Sequence, residues 1–365
     1  MFVVTNRKVL ERKTGFEQMG SLVSEKGPAE LRMVEVVRKG RGWDVTILPD
    51  TITDEMKQAV GITKPGKVFA SAYVYQRLMA VINPRSNKPG GRTKGKDLVL
   101  FVHGFNNDFQ EVVERCHGLS ETYGVEVIAF SWPANGGGFK GVADYLDDKR
   151  DAQASVVAFD RVLAKLNDYI AEARSQFLGD LTTEAEARFP QDRDGQREFI
   201  ARTAERDCPF SVSLMLHSMG NYLFERTLKS SALRGGTLVF DNIIMAAADV
   251  NNPDHAQWVE QIQMRNRLYI TINEDDSALR ASRMKGGGEQ LARLGHYPYD
   301  LSARQAVYVD FTNADNVGDS HAYFEDQPLR NPKVKSFFQH ALHGERAEDA
   351  ELLQYDASRN LHRLL

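Results

Sequence analysis

The 365-residue sequence contains only two cysteines, Cys116 and Cys208. With no CxxC pair and no Cys/His spacing, neither a disulfide framework nor a zinc site is signalled, and a reducing interior suits the two thiols. No stretch approaches the roughly 20 apolar residues that cross a bilayer. The opening Met1-Phe-Val-Val-Thr-Asn-Arg-Lys8 turns polar too soon to hold the apolar core of a secretory signal, so a cytoplasmic protein with no integral membrane segment is expected. Neither charge dominates: 46 Lys+Arg against 50 Asp+Glu give a formal net charge of −4. Nothing in that balance attracts nucleic acid or anionic lipid, and nucleic acid is not an expected partner. No internal repeat is evident.

What is present is an ordinary globular composition, 42% hydrophobic and 26% charged, enough for one large domain with insertions. Met1 to Thr5 is a short strand candidate. Leu31–Val37 and Trp43–Leu48, separated by Lys39-Gly-Arg-Gly42, have the pattern of a hairpin. Lys67 to Ile82 carries apolar residues at helical spacing, and the basic stretch Asn83 to Lys96, rich in Gly and Pro, reads as a solvated loop. From Asp97 buried strands alternate with helices: Leu98–Val102, a helix from Phe109 to Glu121, Val125–Phe130, then a long amphipathic helix from about Tyr145 to Phe177. That alternation predicts a mostly parallel sheet flanked by helices, behind an amino-terminal β-containing extension over residues 1–96. The polar residues 178–208 read as a surface helical insertion. Further strands are Asn242–Ala246, Leu268–Ile272 and Ala306–Phe311, with a helix near Pro332 to Leu342 and a charged helical tail from Gly344.

The stretch with most chemical content is Phe210-Ser-Val-Ser-Leu-Met-Leu-His-Ser-Met-Gly-Asn-Tyr-Leu-Phe224. Its unbroken apolar start reads as a strand buried on both faces, and Leu223, Phe224 and Leu228 recur at helical spacing, so Ser218 falls on a strand-to-helix turn. Such a turn lifts the hydroxyl above the sheet, next to the first N–H groups of the helix. Gly220 suits the close approach, but Leu216 stands where the G-x-S-x-G pattern has its first glycine. A Ser-x-Gly triple alone arises about once or twice by chance in a chain of this length, so context has to carry the assignment. The carboxyl ends of the strands, where sites form in such sheets, offer His103-Gly104-Phe105, Ser218, Asp249, Asp276 and His321. The order Ser, Asp, His is that of an α/β-hydrolase.

Phe101-Val-His-Gly-Phe-Asn-Asn107, Phe130-Ser-Trp-Pro133, Leu216-His-Ser-Met-Gly-Asn221, Ala247-Ala-Asp-Val250, Asp276-Ser-Ala-Leu279 and the opening Thr5-Asn6-Arg7 together resemble DUF900, an α/β-hydrolase family of uncharacterised esterase/lipase-like bacterial enzymes. The resemblance covers residues 97 to 325 well and the first ninety or so thinly. It implies Ser218 as nucleophile and an acid at Asp276, before Ser-Ala-Leu. Asp249 is the alternative acid, and Asp275 serves if the turn register differs by one. Each of these aspartates has the alternative role of capping a helix. His321 is the candidate base and His296 its rival. His255 opens a helix, His340 and His343 sit on the late helix, and His362 is in the tail. The oxyanion hole falls to the backbone N–H groups of Phe105 and Met219. His103 and His217 read as loop-positioning residues, while Trp132 and the Asn135–Gly138 loop either border the pocket or form a solvated turn.

The leading expectation is a serine hydrolase cleaving a small-molecule or lipid-like ester, with no metal and no organic cofactor. The same residues permit thioester or amide hydrolysis. A fold kept as a binding module with its chemistry lost is the competing expectation, on the strength of Leu216. The spacing between Asp249 and Leu268 leaves no room for a large cap.

Overall fold

The computed structural model describes all residues except 28–29, 85–94, 135–141, 207–209, 231–239, 285–290, 350–352 and 365. The expected loops at Asn135–Gly138 and across most of Asn83–Lys96, and Cys208, lie outside the described residues. The chain runs β1 (Phe2–Thr5), β2 (Arg7–Val9), β3 (Met19–Val23), β4 (Arg32–Lys39), β5 (Gly42–Ile47), α1 (Asp54–Ala59) and α2 (Ala70–Ile82). It continues through β6 (Leu98–Val102), α3 (Phe109–Tyr123), β7 (Glu126–Ser131), α4 (Val142–Ala154), α5 (Val156–Arg188), α6 (Arg193–Arg206), β8 (Val212–His217) and α7 (Gly220–Ser230). The last third holds β9 (Asn242–Ala246), α8 (Ala256–Val259), β10 (Arg267–Ile272), α9 (Ser277–Met284), β11 (Ala306–Asp310), α10 (Pro332–Leu342), β12 (Leu353–Asp356) and β13 (Leu361–Leu364).

An 11-stranded sheet has the order β12-β13-β11-β10-β9-β8-β6-β7-β1-β4-β5. From β13 to β1 every neighbouring pair is parallel, and antiparallel strands close both edges. This is a mostly parallel α/β architecture consistent with the α/β-hydrolase fold. Period-2 alternation divides β6 between two apolar layers: Leu98, Leu100 and Val102 pack with α2, α5 and α7, and Val99 and Phe101 pack with α3 and α10. β7 lies on one side of β6 and β8 on the other, so the strand order reverses there, and such a reversal opens a crevice beyond the carboxyl ends.

Two sequence expectations are revised, and one is refined. The helix expected from Tyr145 to Phe177 is two helices, broken at Ser155, whose Oγ donates to the Asp151 carbonyl at 2.7 Å and accepts from Asn6 Nδ2 at 2.9 Å. A hydroxyl that bonds back four residues competes with the helix's own ladder and bends it. α5 then runs on to Arg188 and packs against α6, so residues 178–208 are largely a helical hairpin closed by Phe189 on Phe199. The tail from Gly344 is not a charged helix: β13 pairs in parallel with β11, and its Leu361 is fully buried. Contacts with the sheet edge outweigh the helical propensity of that polar segment.

Candidate active site

Ser218 stands between β8 and α7 at φ 53°, a left-handed conformation that a residue with a Cβ adopts only where its surroundings enforce it. The enforcing groups are identifiable. Ser218 N–H donates to the Ala246 carbonyl (3.0 Å), the Ser218 carbonyl accepts from Asp249 N–H (3.2 Å), and the buried Asn221 Nδ2 reaches the carbonyls of Leu216, Ser218 and Ala246. A Cβ on Gly220 would lie 2.7 Å from the Val102 carbonyl oxygen, which explains the glycine there. Leu216 is in register with Val102 and Met245 and is fully buried with them, so the elbow forms without the first glycine.

His321, on the loop after β11, donates from Nδ1 to Asp276 Oδ2 at 2.7 Å. The other carboxylate oxygen of Asp276 accepts from Leu279 N–H at 2.9 Å and so caps α9. The loop is fixed from beneath by Asn273 Nδ2, which donates to the carbonyls of Gly318 (3.0 Å) and Ser320 (3.1 Å). His217, the residue before Ser218, donates from Nε2 to the His321 carbonyl (3.3 Å), and the two rings lie 4.7 Å apart. Burial, and then the neighbouring His321, hold His217 well below the usual histidine range, so it is a neutral donor.

The turn after β6 packs directly on the elbow: a Cβ on Gly104 would lie 2.6 Å from Ser218 Cβ and 3.1 Å from its Oγ. Met219 stands in the turn directly before α7, at the end of the helix where geometry leaves N–H groups without intrahelical acceptors. Phe105 packs edge-on against Tyr145. The residues after it are held from two sides, since Asn106 (φ 57°) donates its N–H to the buried Asp148 and the Asn107 carbonyl accepts from Arg7 Nη2 at 2.8 Å. Arg7 is itself buried, donating from Nε to Ser131 Oγ (3.0 Å) and from Nη1 to the Ala134 carbonyl (3.1 Å). Burial lowers its pKa to about 10, with Asp108 and Asp148 opposing, so it stays a cation at neutral pH. Thr5-Asn6-Arg7 thus belongs to the floor of the site; an arginine directly after a buried strand was the sequence signal for it.

The model of one protein family, described as alpha/beta hydrolase of unknown function (DUF900), matches residues 91–179 and 173–345. The chain belongs to this family. No curated protein and no solved structure matches it. The matched span of DUF900 takes in the Gly104 turn, the Ser218 elbow, Asp276 and His321, while Arg7 lies before it.

The remaining histidines and acids fall elsewhere. His103 is stacked on the buried Trp132 (5.0 Å), which donates from Nε1 to the His103 carbonyl. Its ring nitrogens face the carbonyls of Gly104 and Trp132, and burial lowers its pKa to about 3. Trp132 is therefore a buried brace beneath the turn, not part of a solvated turn. His255 meets Tyr308, His340 pairs with Glu345 and His343 with Asp97. The ring nitrogens of His296 have no hydrogen-bond partner among the described residues, and burial, opposed by the charge of Asp276, keeps the ring below the usual histidine range. Asp249 accepts from Tyr145 OH (3.0 Å) and Ser282 Oγ (2.8 Å) and forms a buried ion pair with Arg293 (3.0 Å). Asp275 donates its N–H to the Asn273 side chain. The structure thus brings Asp276, and neither alternative carboxylate, to His321.

Proposed function

We propose that the protein is a serine hydrolase that cleaves a carboxylic ester through an acyl-enzyme, with Ser218 as nucleophile, His321 as general base and Asp276 as the acid that orients it. The observation that carries this reading is the 2.7 Å contact of His321 Nδ1 with Asp276, on a loop that His217, the residue before Ser218, holds by its ring, together with the φ of 53° at that serine. With Nδ1–H given to the carboxylate, Nε2 is the basic nitrogen. His321 takes the Ser218 proton as Oγ attacks the acyl carbon, and the carbonyl oxygen gains charge facing the N–H groups of Met219 and Phe105. Collapse releases the alcohol with the proton from His321, and water then attacks the acyl-enzyme by the same route. Leu216 does not favour loss of chemistry, because the elbow keeps its geometry with that side chain in the core.

The test is fluorophosphonate labelling of the wild-type chain beside Ser218→Ala and His321→Ala. Label on the wild type that both variants lose supports the reading. A folded wild type that takes no label leaves the binding module instead. Matched p-nitrophenyl ester, thioester and anilide substrates then separate ester from thioester and amide cleavage, with the ester expected to turn over fastest.

A further inference from the structure

α2 and α5 lie over the same face of the sheet and meet around Tyr169. There Tyr75 stacks on Tyr169 at 4.5 Å and Tyr169 OH bonds Ser71 Oγ at 3.0 Å. Beneath this bridge is a cavity of about 670 Å³. Its floor is Val4, Leu98, Leu100 and Ile128 of the sheet, and its walls are Val74 and Leu78 from α2 and Val162, Leu166 and Ile170 from α5. Phe69, which also lines it, is 65% exposed, so the cavity opens to solvent there. It is separate from the Ser218 site. Leu98 and Ile128 are near the amino ends of β6 and β7, whereas Ser218 follows the carboxyl end of β8, and none of Ser218, Gly104, Phe105, Asp276 or His321 lines it.

The volume falls inside the roughly 300–1,000 Å³ of small-molecule sites. Apolar walls hold water poorly and take apolar guests in its place. Its lining carries three acids, Glu30, Asp50 and Asp168, against Arg161 and Lys165, and Arg32, not itself on the lining, pairs with both Glu30 and Asp50 and brings the local charge to zero. An ionised head group entering there would lose hydration with no net opposite charge to replace it. The hydroxyls of Ser71 and Tyr169 supply a neutral polar contact beside the stacked rings.

We propose that this slot binds the hydrocarbon chain of a small uncharged ligand, a long-chain alcohol or neutral ester, and that forming it is a role of the amino-terminal extension. The test is a titration of full-length Ser218→Ala protein with the neutral dye Nile red, followed by displacement with 1-dodecanol and with dodecanoate. Saturable binding that dodecanol displaces at a concentration at least tenfold below dodecanoate is expected. Ala164→Phe, at a further lining residue on α5, and Leu78→Phe on α2, which fill the slot from opposite walls, are each expected to weaken the dye at least tenfold without lowering the melting temperature. If one of them melts early, the other decides. Dye binding that survives filling, or equal displacement by the carboxylate, overturns the proposal. The assay involves no bond cleavage, so its outcome is independent of whether Ser218 is a nucleophile.

Discussion

Asp276 illustrates how one side chain takes two roles that look exclusive in a sequence. A carboxylate has lone pairs enough to cap a helix with one oxygen and hold an imidazole with the other, and Asp276 does both, at 2.9 Å and 2.7 Å. Asp249 is spent on Tyr145, Ser282 and Arg293. The two aspartates should therefore fail differently. Asp276→Asn is expected to lower kcat by about 10⁴-fold, the order found where a triad acid becomes an amide, because the imidazole is then held in the wrong tautomer. Asp249→Asn should leave kcat within about tenfold but cost about 3–5 kcal/mol of stability, since it leaves Arg293 buried with half its partner. Ester turnover and urea denaturation of both variants check this, and an Asp249→Asn enzyme that is stable but inactive would reverse the assignment.

At the level of elements, the carboxyl ends of the strands carry the site and the amino ends are tied separately. His343, following α10, donates from Nδ1 to Asp97 (2.5 Å) and from Nε2's side reaches the Tyr123 carbonyl, while Asp97 also accepts from Ser211 N–H (2.6 Å). The hydrogen bond to Asp97 raises the His343 pKa against the effect of burial. Burial pushes Asp97 up, but the hydrogen bonds from His343 and Ser211 outweigh it and hold Asp97 below its ordinary value. A histidine whose folded pKa is raised contributes fully below its unfolded value of 6.5, and the contribution is lost as pH rises through the folded value. The depressed Asp97 contributes above 3.8 and loses its share as pH falls through its folded value. The stability gap between wild type and His343→Gln should thus be widest near pH 5–6 and narrow by about 1 kcal/mol by pH 9; a gap that stays flat in urea melts across that range would remove the linkage. The strands and the Ser218 turn were legible because burial on both faces leaves unbroken apolar runs. The break at Ser155 and the terminal hairpin were not, since each depends on a partner more than a hundred residues away or on an open sheet edge.

Across the whole molecule, the amino-terminal strand is not an appendage to the matched region. β1 runs parallel to β7 and antiparallel to β4, inside the sheet, so its carboxyl end at Thr5, with Asn6 and Arg7 after it, is held at the same rim as the serine. Arg7 uses that position: its hydrogen bonds reach Asn107, Ser131 and Ala134 across 100, 124 and 127 residues of chain. The fork fixes the segment after Phe105, whose N–H the proposed chemistry uses. Arg7→Lys keeps the charge but cannot span the four acceptors of the planar fork, Asn107, Ser131, Ala134 and the Gly20 carbonyl. It is expected to lower kcat for a p-nitrophenyl ester by about 10–10²-fold, because small displacements of an oxyanion donor are costly, with KM changed less than about threefold. Stability should fall by about 1–3 kcal/mol as carbonyls lose their donor. A merely structural arginine would lower the melting temperature and leave kcat per folded, phosphonate-reactive molecule unchanged. Active-site titration alongside the kinetics therefore distinguishes the two, and an unaltered kcat per titrated site would confine Arg7 to holding the fold together.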